Sequence, residues 1–460
     1  HKNSFTGEET VELQCHGSRG VISGILDCLG HAFPSYYRLR AADRGEFTQR
    51  AYEAGRLNLL QIEALADLIV SETSAQRRLA LKELSRENSS YVTYDQWRKR
   101  LTKALAHAEA VIDFGDEDEE NIGAEEQVDV WTGVRDDVMK LRRAMEMHLR
   151  DENRGEITRE GLRVAIIGPP NAGKSTLLNF LAKRDVAIVS DVAGTTRDVV
   201  EVTLDLGGVK CIVSDTAGLR EETQTSDVIE REGMKRAKAV AQRAHFTICV
   251  VDASNPREGV QAVVKLLRED VQKNNEHEEQ LSQLLAQDNT MFVVNKVDLI
   301  SSSFSNSTIS KQQWSTDIQA AMLQISDNVD ETTTTMQQPP ETFGISCAEG
   351  HGVESFLDAL TSKVLARVGG GCSDDKMNNS VSVIEEQEGA IITRARHRGH
   401  VQQAVEALEK FDALSREGAW ALDLAAEELR LAASELGRVV GAVDVEDVLD
   451  VLFSDFCIGK

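Results

Sequence analysis

The chain has 460 residues, 41% hydrophobic and 28% charged, which is length for about three domains with substantial cores. No apolar run approaches the roughly 20 residues that span a bilayer. The 51 lysines and arginines against 76 aspartates and glutamates leave a net charge of -25, which argues against a broad basic face for gripping nucleic acid; any RNA served by such a protein should be held by a local patch or mostly by a partner. Seven cysteines (Cys15, Cys28, Cys211, Cys249, Cys347, Cys372 and Cys457) show no C-x-x-C spacing, so neither a disulfide framework nor a zinc site is indicated and a reducing compartment fits. The chain starts at His1 rather than Met and is read as beginning inside a longer protein, with any signal or transit peptide left open.

Glu9–His16 alternates in the manner of a strand and turns at Gly17. Between Arg56 and Phe114 there is neither Gly nor Pro, and apolar residues recur at helical spacing, as at Ile62, Leu65, Ala66 and Ile69, which predicts two or three long helices. An acidic loop, Gly115–Glu126, precedes another helix that ends near Asn153. At Leu162 the texture changes to short β-branched runs, Arg163–Ile167, Glu201–Leu206, Cys211–Ser214, Thr247–Val251 and Met291–Val294, separated by helical stretches. That alternation predicts a parallel sheet covered on both faces, with Cys211 and Cys249 as buried packing residues. Ser301–Thr342 is rich in Ser, Thr, Gln and Asn and reads as an insertion with at most one helix, near Lys311–Gln324. Gly369–Gly371 reads as a linker, after which helices return at Ile392–Leu414, Leu422–Leu436 and Val445–Phe456.

The α/β block carries the chemistry. Gly168-Pro-Pro-Asn-Ala-Gly173-Lys174-Ser175 follows a predicted strand and precedes the helical run Thr176–Leu181. Glycines there let backbone N–H groups wrap phosphates, the helix N-terminus adds partial positive charge, Lys174 reaches the terminal phosphates, and the Ser175 hydroxyl suits magnesium. Asp215, Thr216, Ala217 and Gly218 end another strand, setting an acid near the metal's water shell and an N–H near a γ-phosphate. Asn295, Lys296, Val297 and Asp298 end a third; the Asp298 carboxylate accepts two N–H bonds from guanine, a pattern adenine cannot supply, and leaving it buried and unpaired rejects ATP. Ser346, Cys347 and Ala348 stand where a backbone N–H would meet the guanine carbonyl. Four motifs in this order predict a magnesium-dependent GTPase. Where many small GTPases have a water-orienting Gln, this chain has Leu219, so that group comes from elsewhere. Arg197 is a candidate arginine finger, and Asn171 can offer an oxygen to an extra cation beside the phosphates.

Asn171-Ala-Gly-Lys-Ser175, Gly194-Thr-Thr-Arg-Asp198 and Asp215-Thr-Ala-Gly-Leu219 together resemble the potassium-activated bacterial GTPases. The flanks Asn3–Glu8, Glu12–Gly17, Arg44–Thr48 and the terminal Phe456-Cys-Ile-Gly-Lys460 resemble the MnmE (TrmE) family of tRNA-modification GTPases over nearly the whole chain, the Ser301–Thr342 insertion excepted. The resemblance implies a P-loop α/β GTPase domain inserted into an all-α helical domain, preceded by part of an α+β folate-binding domain whose first half lies ahead of His1. The implied boundaries are 1-55 for the folate-binding part, 56-157 and 372-460 for the two helical parts, and 158-371 for the GTPase domain with its insertion near 301-342. It implies potassium ligands at Asn171, Ser190, Val192 (through its carbonyl) and Thr195, and Thr196 as second magnesium ligand. It implies a catalytic Glu, best matched by Glu230 in Ile229–Gly233; the spacing from Asp215 is a few residues longer than in bacterial members, which leaves Glu222 and Glu232 as weaker candidates.

Family members bind a 5-formyltetrahydrofolate-type cofactor, and the matching positions are Glu12, Arg56 and Lys460. The implied reaction is GTP hydrolysis driving modification at carbon 5 of a tRNA wobble uridine, with an FAD- and NADH-using partner of the MnmG (GidA) type, a homodimer whose GTPase domains pair, and tRNA shared with the partner. Cys457 is either a nucleophile or, the better reading, a packing residue near the cofactor. The rival functions are a ribosome-assembly GTPase, which would need an RNA-binding appendage although Val383–Lys460 holds no G-x-x-G loop, and a non-catalytic scaffold, which intact Lys174, Ser175, Asp215 and Thr196 argue against. The insertion and the Gly-Pro-Pro-Asn loop resemble mitochondrial members; the alternative is a bacterial cytoplasm.

Overall fold

The structure, a computed structural model, describes residues 4–32, 39–85, 89–117, 124–151, 153–184, 186–188, 200–215, 239–268, 289–300, 314, 316, 318, 341–369, 392–417, 419–443 and 446–456. Helices α1 (Arg19–Ala32), α2 (Glu46–Glu53), α3 (Leu59–Ile69), α4 (Ser74–Leu84), α5 (Ser90–Glu117), α6 (Ala124–Leu149) and α7 (Arg154–Glu160) precede strand β1 (Leu162–Ile167). Then come α8 (Lys174–Ala182), β2 (Val200–Leu206), β3 (Val209–Asp215), β4 (Phe246–Asp252), α9 (Pro256–Arg268), β5 (Thr290–Asn295), β6 (Thr342–Gly344) and α10 (Val353–Gly369). Helices α11 (Ala395–Leu414), α12 (Leu422–Val440) and α13 (Glu446–Asp455) follow. The chain divides into two compact units, one of His1–Ser71, Gln76–Glu156 and Glu388–Lys460, the other of Glu72–Ala75 and Ile157–Gln387.

In the first unit, four helices from both ends of the sequence share one core. Tyr94, Trp97, Leu101, Ala104 and Ala108 of α5 meet Val134, Val138, Leu141 and Met145 of α6, Val401, Ala404, Leu408 and Phe411 of α11, and Leu429, Ala432, Leu436 and Val439 of α12. Steps of three and four residues place each set on one helix face, and each fully buried Leu-sized side chain contributes about 1.5–3 kcal/mol. Helix α3 starts on a reciprocal cap, Gln61 N–H to Asn58 Oδ1 (2.9 Å) and Asn58 N–H to Gln61 Oε1 (3.1 Å). Its Leu59 and Ile62 pack with Leu452, Phe453 and Phe456. Beside them lies a buried charge cluster. Glu63, 3% exposed, accepts from Arg396 at 2.9 Å and pairs with His397 at 2.8 Å, while Arg394 holds Asp67 at 2.9 Å. Burial opposes the Glu63 charge, but His397, Arg394 and Arg396 outweigh it and bring the carboxyl down to about 2.

Two expectations fail in this unit. Glu9–His16 forms no strand: Val11 is 89% and Leu13 60% exposed, and no described strand pairs with the segment, so its backbone lacks the ladder partners a strand needs. The acidic stretch Gly115–Glu126 is not wholly loop either, because α5 runs on to Glu117 and α6 begins at Ala124; Asp and Glu lower intrinsic helix propensity too little to stop a helix.

The second unit holds a six-stranded sheet in the order β2-β3-β1-β4-β5-β6. Alternation splits β1, β4 and β5 between two layers. Val164 and Ile166 of β1, Ile248 and Val250 of β4, and Met291 and Val293 of β5 face one way, toward Leu177 and Leu181 of α8 and Phe356 and Leu360 of α10. Ala165, Ile167, Cys249, Val251, Phe292 and Val294 face the other, toward Val260 and Val263 of α9 and Ile318. Cys211 and Cys249 are fully buried, and burial pushes both thiols up to about 12. The sheet is mixed rather than all-parallel, because β2 runs antiparallel to β3. The reason is local. Gly207 and Gly208, at φ 64 and 88, form a two-residue turn with Leu206 opposite Val209, a turn whose twist matches a hairpin and which needs positive φ at both positions. Two boundaries also move. Thr342, counted above with the insertion, opens β6, and Gly369, counted with a linker, is the buried last residue of α10. Residues 314, 316 and 318 are helical, while the rest of 301–340 and 370–391 lies outside the described residues.

Candidate nucleotide site

Strand order in the sheet places β3 on one side of β1 and β4 on the other, so the loops after these strands diverge at their C-terminal ends, where open α/β sheets bind ligands. The loop Gly168–Gly173 leaves β1 there and feeds α8, which begins at Lys174, so the N-terminal end of that helix adjoins the loop. Gly173 is required twice over: its φ is 96, and a Cβ on it would lie 2.1 Å from Asn295 Nδ2. Asn171 also has positive φ, 63, a conformation Asn tolerates better than most residues; its side chain is exposed. The Lys174 ammonium, on a residue 7% exposed, donates to the Gly168 and Pro169 carbonyls at 2.9 Å each. The Ser175 hydroxyl donates to Asp215 Oδ2 at 2.5 Å, bringing together the two oxygens that sequence assigns to the metal's neighbourhood. Thr176 follows on α8, exposed.

The segment after β5 is tied to this loop. Asn295, 2% exposed, donates from Nδ2 to the Ala172 carbonyl at 3.0 Å and accepts the Cys347 N–H on Oδ1 at 3.3 Å. One amide thus joins the phosphate loop, the end of β5 and the turn after β6. Ser346 is fully buried; its hydroxyl accepts the Glu349 N–H at 3.2 Å and its N–H reaches the His351 carbonyl at 3.0 Å. Burial, with Asp298 adding a smaller share, pushes the Cys347 thiol up to about 11, which disfavours the thiolate at neutral pH. Lys296 has φ 65, strained for a residue with a Cβ by about 1–2 kcal/mol. Asp298 is exposed within the short 3₁₀ turn Val297–Leu299, so the carboxylate expected from sequence to be buried is open to solvent.

The sequence profile of the MnmE helical domain matches residues 59–457, and that of the GTP-binding protein TrmE N-terminus matches residues 1–56. The tRNA modification GTPase MnmE of Parvibaculum lavamentivorans is 42% identical over 457 residues, covering 99% of this chain and 84% of that protein. The chain belongs to the MnmE (TrmE) family. A mitochondrial 5-taurinomethyluridine-[tRNA] synthase subunit GTPB3 from Danio rerio is 39% identical over 459 residues, covering 99% of this chain and 80% of that protein. Its Homo sapiens counterpart is 38% identical over 460 residues, covering 99% and 79%. Among solved structures, the G domain of the T. maritima FeoB iron transporter covers 44% of this chain and 98% of its own at 16% identity, with a TM-score of 0.24, a likeness too weak to carry weight.

In this MnmE-family chain the candidates divide by position. Asn171 to Thr176, Asp215, Asn295, Lys296, Asp298 and Ser346 to Ala348 all stand on strand ends, loops or helix starts at the C-terminal end of the parallel strands. Ser190, Val192, Thr195, Thr196, Arg197, Thr216, Ala217, Gly218, Leu219, Glu222, Glu230, Glu232, Cys457 and Lys460 lie outside the described residues. Of the folate candidates, Glu12 is exposed on the irregular segment before α1, and Arg56 donates to the Ser4 carbonyl at 3.1 Å. Sequence reasoning missed Asp252, the last residue of β4, which binds Lys296 at 2.8 Å. The signal was present: an acid closing an apolar strand, as Asp215 does.

Proposed function

We propose that this chain binds and hydrolyses GTP with magnesium and potassium, and that the cycle drives modification at carbon 5 of the wobble uridine of certain tRNAs. The observation that supports the reading most is the Asn295 amide, which couples a phosphate loop to two segments suited to a guanine base. The names of the relatives add the tRNA part. Lys174 exchanges its two loop carbonyls for phosphate oxygens without moving far, since both acceptors belong to the loop that wraps them. Asp298 accepts the N1–H and exocyclic amine of guanine, and the base covers it; adenine supplies no such pair.

The Ser175 hydroxyl and Asp215 carboxylate are hard oxygen donors side by side, a set that suits magnesium, with Thr196 as the proposed second ligand. Magnesium, when bound, neutralises charge on the phosphate oxygens. Asn171, Ser190, the Val192 carbonyl and Thr195 are the proposed potassium ligands, and Glu230 the residue that orients the attacking water in place of Leu219. Residues 1-55 are proposed as part of a folate-binding domain using Glu12, Arg56 and Lys460. Residues 56-157 and 372-460 then form one helical domain, into which the GTPase domain, 158-371, is inserted. The proposed partners are an FAD protein of the MnmG type, tRNA and a second copy of the chain; the proposed compartment is the mitochondrion, with a bacterial cytoplasm as the alternative. The test is nucleoside mass spectrometry of tRNA from cells lacking the chain. Carbon-5 modification of the wobble uridine should vanish and return with the wild-type gene but not with Lys174→Ala. Unchanged wobble uridines would refute the assignment.

A further inference from the structure

We propose that Asp252 is a positioning residue for base recognition: its carboxylate holds Lys296 and so sets where Asp298 stands. The proposal rests on the guanine-nucleotide reading above. Strands β4 and β5 end in register, with Asp252 beside Asn295. The Asp252 carboxylate is shared between two elements. Its Oδ1 accepts the Ser254 N–H at 2.9 Å and hydroxyl at 2.7 Å, while its Oδ2 accepts the Lys296 ammonium at 2.8 Å. The main chain adds a second tie, Ala253 N–H to the Asn295 carbonyl at 2.9 Å, and Asn255 N–H closes the turn onto the Asp252 carbonyl at 3.2 Å. A turn fixed by its own side-chain bonds is thereby joined to the base loop at two points.

Lys296 occupies a left-handed backbone conformation that a residue with a side chain keeps only where its surroundings over-determine it. Only Val297 separates it from Asp298, and the Val297 N–H is itself held by the Ile345 carbonyl at 3.2 Å. Rotation at Lys296 therefore carries Asp298 with it. Burial works against the Asp252 charge, but the Lys296 ammonium and the Ser254 donors outweigh it and hold the carboxyl below its usual range, so Asp252 stays ionised at neutral pH. Both side chains are 31% exposed, which limits the pair to a modest share of stability and makes orientation its main effect.

The test measures affinity of the full chain for fluorescent GDP and IDP; inosine lacks the exocyclic amine that Asp298 would accept. Asp252→Ala, and Asp252→Asn, which keeps the shape and the Ser254 bonds, should each weaken GDP about five- to tenfold and narrow the preference for GDP over IDP by about threefold. KM for GTP should rise with kcat within about twofold, because the base loop is not where the phosphate reacts. Lys296→Met should cost as much as Asp252→Asn, and the double variant no more than either. Unchanged GDP affinity in both Asp252 variants, equal losses for GDP and IDP, or additive losses in the double variant would each overturn the proposal. Failure of the wild-type chain to bind GDP at all would overturn the nucleotide reading, and the proposal with it.

Discussion

Asn295→Ala should loosen three loops at once. The side chain is 2% exposed and makes two bonds, to the Ala172 carbonyl at 3.0 Å and from the Cys347 N–H at 3.3 Å. Truncation leaves a carbonyl and an N–H in a place water reaches poorly, at about 1–3 kcal/mol apiece, and the longer bond belongs at the low end. The sum is about 2–4 kcal/mol. Two units make a single global unfolding free energy ill-defined, so hydrogen–deuterium exchange is the better assay. Peptides covering 168–177, 291–297 and 344–348 should exchange about 30- to 900-fold faster, the equivalent of that energy, while those of α5 and α11 keep their protection. Less than about a threefold change in the three loops would refute the coupling, as would equal acceleration in both units.

Asp298→Asn should bind xanthosine triphosphate better than GTP, because the new amide donates where the carboxylate accepted; a retained GTP preference in competition binding would move the base pocket elsewhere. Hydrolysis in KCl should exceed that in NaCl by about a hundredfold, and Asn171→Ala should erase the difference; equal rates in the two salts for the wild type would end the potassium proposal. Glu230→Ala should bind GTP normally and hydrolyse it about 10²–10⁴-fold more slowly, and a normal rate there with a collapse in Glu222→Ala or Glu232→Ala would reassign the role. Glu63 titrates at about 2 in the folded chain against an ordinary 4.5, so its stabilisation is full above 4.5 and drains away as pH falls toward 2. Acid melting of the helical unit by circular dichroism should therefore flatten over that window in Glu63→Gln, and an unchanged profile would show that the His397 and arginine pairing does not bear on acid stability.

The helical cores were legible because Tyr94–Ala108 and Val134–Met145 repeat at three and four residues, and five strands because their β-branched runs are bounded by turn residues. The direction of β2 was encoded too, in Gly207-Gly208 between two alternating runs, a hairpin signal that the expectation of βαβ units overrode. Strand β6, three residues long, carries no period to read; only its pairing with β5 makes it a strand. Glu9–His16 shows the converse, an alternation with no described partner. The phosphate loop and the Asn295–Asp298 segment were visible as motifs, since backbone cradles need glycines at set spacing. The bonds that join them were not visible, because Asn295 meets Ala172 and Asp252 meets Lys296 only through strand register.

The central claim, guanine-specific phosphate chemistry at Gly168–Ser175, is tested most directly by phosphate release from GTP and from ATP under magnesium and KCl, with the wild-type chain beside Lys174→Ala. GTP should be hydrolysed and ATP not, and the variant should lose the activity while keeping its fold. Hydrolysis that ignores the base, or that survives in Lys174→Ala, would contradict the account.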